Sequence, residues 1–347
     1  MSRAKELLDT LPSKWDPRKS QPEDHEGDFL EMNAPEDADN FDYRITTAGT
    51  LSDIFRVFTD QDWTPTNDVL ARRVKHDSDE RMIIIATDGS CVDNGQENAV
   101  AGAGIYLGPE NAGNRSIKLP KHVGDVPITQ SNQAAELVAA KMAPELIQRT
   151  TPMTLETDSK YVISHLTSSL KKMEDTGYTN VNNADIIRAM VANYRRREAP
   201  TSIVWVKGHN GHPGNEAADA LAGAATDKDR EDAIALEIPP ELKVTGVKLN
   251  ALTQKLAYNT IRQLRADKTP QRPRTSNVLG QVKSQARSLF GIAPTDSTIW
   301  KSIHSKDLER KTRYFLWMIA NDAYMTGTHW DRPSYSPEVR ARATTTR

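Results

Sequence analysis

Cysteine is nearly absent: Cys91 is the single one in 347 residues. One thiol makes neither an internal disulfide nor a cysteine-based zinc site, so a reducing, intracellular setting is expected. Long apolar runs are missing too. No stretch approaches the ~18 residues needed to cross a bilayer. The opening MSRAKELLDTLPSKWDPRKS has no apolar signal core, so neither a membrane partner nor export is expected. Hydrophobic residues make up 37% of the chain and mean hydropathy is −0.63. That suffices for one good core, not for 347 packed residues. No internal repeat is found.

What is present is unevenly distributed. Residues 1–80 carry 10 Lys and Arg against 19 Asp and Glu, residues 81–242 carry 16 against 21, and residues 243–347 carry 19 against 7. The length favours more than one domain. Three regions are expected: an acidic, largely disordered stretch over 1–80, a folded domain over 81–230, and a basic, helical region over 231–347. The acidic stretch has few aliphatic residues to form a core, although Leu51, Ile54, Phe55 and Phe58 would share one face of a short helix. The basic tail is the part suited to meet nucleic acid phosphates, unless it is only a solvated helical surface.

Regular structure is expected from Met82. MIIIAT (82–87) is a β-branched run typical of a buried strand. AVAGAGIYLG (99–108) reads as a second strand, with Gly102 and Gly104 where something packs closely, and NRSIKLP (114–120) as a third. Asn- and Gly-rich turns between them indicate an antiparallel meander. SNQAAELVAAKMAPELIQ (131–148) reads as a helix with Ser131 as N-cap, kinked or restarted at Pro144. MTLETD (153–158) and TSIVWVKG (201–208) complete five strands. Helices are expected over 159–170, 184–197 and 214–226. The order βββαβααβα is that of an α/β protein: a five-stranded mixed sheet with helices on its faces, plus a helical C-terminal extension. Further helices are expected over 247–265, 276–291 and 305–325.

Four carboxylates stand where a sheet-based metal site would need them. Asp88 and Asp158 end strands one and four, Glu136 lies on the first helix, and Asp219 lies in the early turns of the last. Phosphodiester hydrolysis needs an activated water, charge stabilisation on phosphate oxygens and help for the leaving oxygen. Two hard cations about 3.5–4 Å apart supply all three. Mg²⁺, or alternatively Mn²⁺, prefers oxygen ligands, and uncompensated carboxylates this close would raise one another's pKa. His209, on the loop before the last helix, could shuttle a proton.

These motifs, TDGSC (87–91), SNQAAEL (131–137), TDSKYV (157–162) and WVKGHNGHPGNEAADALA (205–222), resemble in order and spacing those of the type 1 ribonuclease H family, over about 145 residues. The resemblance implies the ribonuclease H-like fold and an endoribonuclease that cuts the RNA strand of RNA–DNA hybrids with two Mg²⁺ ions. It makes Asp88, Glu136, Asp158 and Asp219 the metal ligands and His209 the loop histidine that assists turnover. It gives substrate contacts to Cys91, Asn94, Asn132, Gln133 and Lys160, which read the RNA 2′-OH. Lys160 departs from the uncharged amide that relatives often carry there. A second departure is the region 171–185, short and not basic where some relatives carry a basic helical protrusion. The Arg195–Arg197 run or the C-terminal tail would then have to grip the substrate. SDIFRVFT (52–59) and residues 297–330 are similar to the flanks of ribonuclease H in fungal non-LTR retrotransposon polyproteins, which suggests a fragment or remnant of such an element.

Plainer roles compete at several positions. A lone Asp at a strand end is usually a cap. His212 fits a loop hydrogen-bonder, His165 a helix surface residue, and Glu216 a residue that orients the loop or caps the helix. Cys91 could be a small core residue. Tyr314, Phe315 and Trp317 fit packing better than base stacking. Two rival functions are a non-catalytic nucleic-acid-binding remnant and another polynucleotidyl transferase of the same fold.

Overall fold

The computed structural model describes residues 38–43, 50–60, 82–208, 210–266, 269, 271–324 and 336–338. They fall into two compact units: residues up to Asn94 with Ala99–Arg265, and Gly95–Asn98 with residues from Ala266 onward.

The first unit is built on a mixed sheet. Its strands are β1 (Asp39–Asn40), β3 (Ile83–Val92), β4 (Val100–Tyr106), β5 (Arg115–Lys118), β8 (Met153–Thr157) and β9 (Thr201–Trp205), in the order β1-β9-β8-β3-β4-β5. β3, β4 and β5 form the expected antiparallel meander, whereas β8 runs parallel to both β3 and β9. Two short ribbons flank the sheet. One pairs β2 (Arg56–Val57) with β10 (Val247–Lys248), the other β6 (His122–Val123) with β7 (Val126–Pro127).

Helices α2 (Asn132–Met142) and α5 (Ala184–Arg195) lie together, joined by the Tyr194 hydroxyl donating to Ala140 O at 3.2 Å. Ser131 caps α2 by accepting from the Ala134 amide at 3.2 Å, and a 3₁₀ turn restarts the chain at Pro144 as the sequence suggested. α6 (Pro213–Thr226) packs against β3, β4 and β5. The expected helix over 159–170 is two: α3 (Lys160–Leu166), then α4 (Leu170–Asp175). The core is aliphatic, with Ile85, Ile105, Leu137, Leu155 and Ile187 fully buried.

Two expectations need correcting. The sheet has six strands, because β1 from the acidic N-terminal region adds an antiparallel edge to β9. Phe41 and Tyr43 are buried behind it, and the Tyr43 hydroxyl donates to Ala199 O at 2.6 Å. The short helix near residue 50 is only α1 (Leu51–Ile54), since the chain is extended from Phe55 into β2. Most of the remaining residues 1–80 lie outside the described ones. The compact unit that holds this sheet runs to Arg265. α7 (Gln254–Ala266) is its last helix, while residues 247–248 at the head of the expected helix are strand.

Charge pairing explains why the flanks belong to this unit. Glu174 and Arg195 are both buried and form a two-pronged ion pair, with Arg195 Nη2 to Glu174 Oε2 at 3.0 Å. Arg56 of β2 donates to Gly246 O at 2.8 Å and also to Glu174 O. Lys248 of β10 is buried and pairs with Asp175 at 2.7 Å. Arg197 is buried too, bonded to Thr201 Oγ1 at 2.9 Å and to Thr151 O. Arg195 and Arg197 are therefore structural and not a basic handle for substrate. Removing one partner of a buried pair costs roughly 3–5 kcal/mol, because the other charge stays desolvated. Glu174→Ala is expected to lower the melting temperature by about 10 °C or more in thermal unfolding. An unchanged melting temperature would show that the pair contributes nothing.

The second unit is helical: α8 (Pro273–Phe290), α9 (Asp296–Ile303) and α10 (Arg310–Ala320). Its small core joins Leu279, Ile299, Ile303 and Ala320. Lys283 bridges Asp296 at 2.8 Å and Glu97 at 3.2 Å. Tyr314, Phe315 and Trp317 are exposed, contrary to the packing expected for them, because α10 turns Leu316 and Ala320 inward. Among the described residues, no helix is long and apolar enough to cross a membrane.

Candidate active site

The strand register brings Asp88 and Asp158 together. Thr87 and Thr157 are the last paired residues of the parallel strands β3 and β8. Asp88 and Asp158 are the next residue on each strand, and neighbouring strands lie about 4.8 Å apart. Asp88 does not end its strand, as the sequence suggested. β3 continues to Val92 against β4, and Asp88 marks where pairing to β8 stops.

Glycines let the other two acids approach. Gly104 is the cross-strand partner of Asp88, so their side-chain directions share one face of the sheet. A Cβ at Gly104 would collide with the α6 backbone at Ala218 O and sit 2.7 Å from Ala222 N. With hydrogen there instead, α6 seats directly on β4 and presents Asp219 beside Asp88. Gly89 does the same on the opposite face. A Cβ there would strike the Glu136 amide and lie 2.9 Å from Ala135 C. A Cβ at Gly208 would overlap the Asp158 carboxylate. Glycines thus make room for the α6 backbone just before Asp219, for the Glu136 amide and for the Asp158 carboxylate.

The electrostatics follow from this crowding. Asp88 is 7% exposed. Burial, then Asp158, and further Asp219 and Glu136, push its carboxyl up to about 7, and the Gly89 amide donating at 2.6 Å offsets only part of that. Glu136 is also raised, by burial first, with a contribution from Asp158; the Ser159 hydroxyl donating to it at 2.5 Å works the other way. Among the described residues, no Lys or Arg comes within 4 Å of Asp88, Glu136 or Asp158. Also among them, no group of three or more His, Cys, Asp or Glu side chains is placed so as to hold a metal ion. The donor set is all hard oxygen with excess negative charge, which fits a divalent cation of the Mg²⁺ class and suits no soft metal.

Several positioning residues escaped the sequence reading. Ser159 both caps α3, accepting from the Val162 amide at 3.2 Å, and holds Glu136. Asn215 is buried and donates weakly to Asp158 Oδ2 at 3.5 Å. The Trp205 indole donates to Asp158 O at 3.2 Å, and Lys160 Nζ sits 5.6 Å from its ring centre. The signal for Asn215 was a polar residue on an otherwise alanine-rich helix face. His212 and Glu216 do what their plainer readings said. His212 caps α6 by accepting from the Asn215 amide at 3.3 Å, and Glu216 accepts from the Gly211 amide at 3.0 Å. His165 is half-buried, its ring against Tyr161.

The expected substrate contacts are dispersed around this cluster. Asn132 and Gln133 are exposed in the first turn of α2, Asn94 is exposed in the turn after β3, and Lys160 is exposed at the start of α3. Cys91 is half-buried and packs partly on the core. His209 lies outside the described residues.

A family model for RNase H matches residues 80–227. Over 150 residues the chain is 33% identical to ribonuclease H of Pseudomonas paraeruginosa, covering 42% of this chain and 93% of that protein. This chain belongs to the ribonuclease H family. Ribonuclease H1 of Homo sapiens is 34% identical over 156 residues, 43% of this chain and 52% of that one. The crystal structure of LC9-RNase H1, a type 1 RNase H with the type 2 active-site motif, is 22% identical, with a TM-score of 0.34 over 53% of this chain and 87% of the other. The matched span includes all four acids, Ser159 and Asn215. β1, the β2–β10 ribbon and α7 lie outside it, so this ribonuclease H carries structural additions on both sides of its family domain.

Proposed function

We propose that this protein is an endoribonuclease that hydrolyses the RNA strand of RNA–DNA hybrids at the cluster of Asp88, Glu136, Asp158 and Asp219. The observation that carries the reading is the Asp88 carboxyl, pushed up to about 7 by its burial and by the three other acids beside it. A site so anionic has little structural purpose and strong affinity for cations. The four carboxylates would hold two divalent ions, Mg²⁺ or Mn²⁺, which when bound supply an activated water and neutralise charge on the phosphate. Glu136 is steadied by Ser159, and Asp158 by Asn215 and Trp205, so these acids are held before substrate arrives. His209 would carry the proton to or from the scissile group. Cys91, Asn94, Asn132, Gln133 and Lys160 would meet the RNA strand around the cleavage point, with Lys160 contributing a charge.

The catalytic ribonuclease H domain would span 81–230 within the larger compact unit, with the acidic region 1–80 and the basic region 231–347 as its flanks. The basic region would add affinity for nucleic acid. The flanks at 52–59 and 297–330 support descent from a retrotransposon polyprotein.

The test uses the full chain and RNA labelled at its 5′ end. Mg²⁺-dependent cleavage of a hybrid is expected, leaving 3′-hydroxyl and 5′-phosphate ends, with no cleavage of the same RNA alone or of plain DNA duplex. An intact hybrid after prolonged incubation with either metal would refute the reading.

A further inference from the structure

Helix α7 lies beyond the family domain but inside the same compact unit. Its sequence, QKLAYNTIRQLRA, has no acidic residue and three cationic ones. Lys255, Tyr258, Arg262 and Arg265 are spaced i, i+3, i+7 and i+10, so they share one face. All four are exposed, and Arg262 lies over the Tyr258 ring at 5.7 Å. Among the described residues, none of the three cations meets a carboxylate within 4 Å. The stripe is about 15 Å long at the helical rise of 1.5 Å per residue.

The opposite side of α7 is fastened down. Thr260 is buried and bonds the Thr179 hydroxyl at 2.8 Å, and Gln263 accepts from the Asn180 amide at 3.0 Å. The 177–183 loop beneath has left-handed residues at Gly177, Tyr178, Asn180 and Asn183, which fix its path. Tyr161, in the first turn of α3, donates to Asn182 O at 3.3 Å. That tyrosine is close enough to Glu136 to feel its charge. A short relay of contacts therefore links the cationic helix to α3, which Ser159 caps.

We infer that the Lys255–Arg262–Arg265 face of α7 is a second nucleic-acid contact of this ribonuclease H, binding the phosphate backbone of the hybrid away from the cleavage point. The inference rests on the proposed activity for the nature of the duplex. Charge complementarity selects this occupant: three cations around an accessible aromatic ring match a row of phosphates, while the exposed Ile261 and Leu264 lie off the stripe. An exposed helix free of acids, fixed along its other side, is a preorganised surface of this kind.

The test compares the wild-type full chain with Lys255→Gln/Arg262→Gln/Arg265→Gln, and with Lys255→Arg/Arg262→Lys/Arg265→Lys as a charge-keeping control. Hybrid cleavage is followed against salt, and hybrid binding is followed by fluorescence anisotropy in Ca²⁺. The glutamine variant is expected to raise KM about tenfold with kcat unchanged, and to flatten the log–log salt dependence of binding by roughly 2–3. The charge-keeping variant should behave as wild type. Unchanged KM and salt slope in the glutamine variant would overturn the inference, while hybrid cleavage by the wild type would leave the proposed activity standing. Binding by the wild type that is lost in the glutamine variant, without cleavage by either, would refute the activity and keep the helix contact. No hybrid binding by the wild type overturns both.

Discussion

Asp88→Asn is expected to abolish cleavage and yet, without divalent metal, to make the protein more stable at pH 8. The two effects have one cause. Burial first, and then the Asp158, Asp219 and Glu136 carboxylates, push Asp88 up to about 7, far above the 3.8 of a free aspartate. A carboxyl raised in the folded state holds its proton more tightly there than in the unfolded chain. Its contribution to stability is therefore largest below about pH 4, falls as pH rises, and is fully lost above about pH 7. Asparagine removes that penalty, worth ~1–2 kcal/mol once water in the cleft is allowed for. The expected gain is a few degrees in melting temperature in EDTA at pH 8, and none at pH 4. Divalent metal should reverse the order at pH 8, because only the wild type gains the full stabilisation of a ligand that binds the native state. Activity should fall about 10³-fold or more, the loss of several kcal/mol of transition-state stabilisation. Hybrid cleavage and thermal melts with and without Mg²⁺ decide the matter. Full activity in the variant would mean that the metal is held elsewhere.

The sequence made the centre of this protein readable for a physical reason. Strands such as MIIIAT and the alanine-rich helices around Glu136 and Asp219 are amphipathic or wholly apolar at a period that only one secondary structure satisfies. The acids stand out because they interrupt those patterns. What the sequence concealed depends on pairing at a distance. β1 is only two residues long, and its value lies in Phe41 and Tyr43 packing beyond it, 156 residues from the Ala199 carbonyl that Tyr43 reaches. β2 and β10 are equally short and find each other across 190 residues of chain, helped by Arg56 reaching Gly246. The Arg195–Arg197 run looked like a substrate handle because nothing local marks Glu174 as the buried partner of Arg195. Ser159 went unread in the sequence, since its hold on Glu136 follows only from how α2 and α3 meet. Gly102 and Gly104 are the exception. Their unfitness for a strand interior announced a close approach, and α6 makes it.

That approach gives the second large effect. Gly104→Ala is expected to unseat α6 and to lose activity together with stability. The added methyl would run into Ala218 O and crowd Ala222 N, both backbone atoms of a 14-residue helix that cannot yield locally. Overpacking of this kind costs roughly 1–3 kcal/mol or more, and the relief available is to lift the helix off β4. Asp219 sits one residue after Ala218, so lifting the helix withdraws one acid from the cluster. Melting temperature should fall by several degrees. Divalent metal should stabilise the variant less than the wild type, and cleavage should drop at least about tenfold even where the protein remains folded. Gly223→Ala is the control on the same helix. A Cβ there meets nothing within 4 Å, and alanine is favoured over glycine in a helix by about 0.5–1 kcal/mol. That variant should be as active as wild type and slightly more stable. If Gly104→Ala melts and cleaves like the wild type while Gly223→Ala behaves as expected, the helix has room to spare. The close seating of α6 on β4 would then not be what brings Asp219 to Asp88.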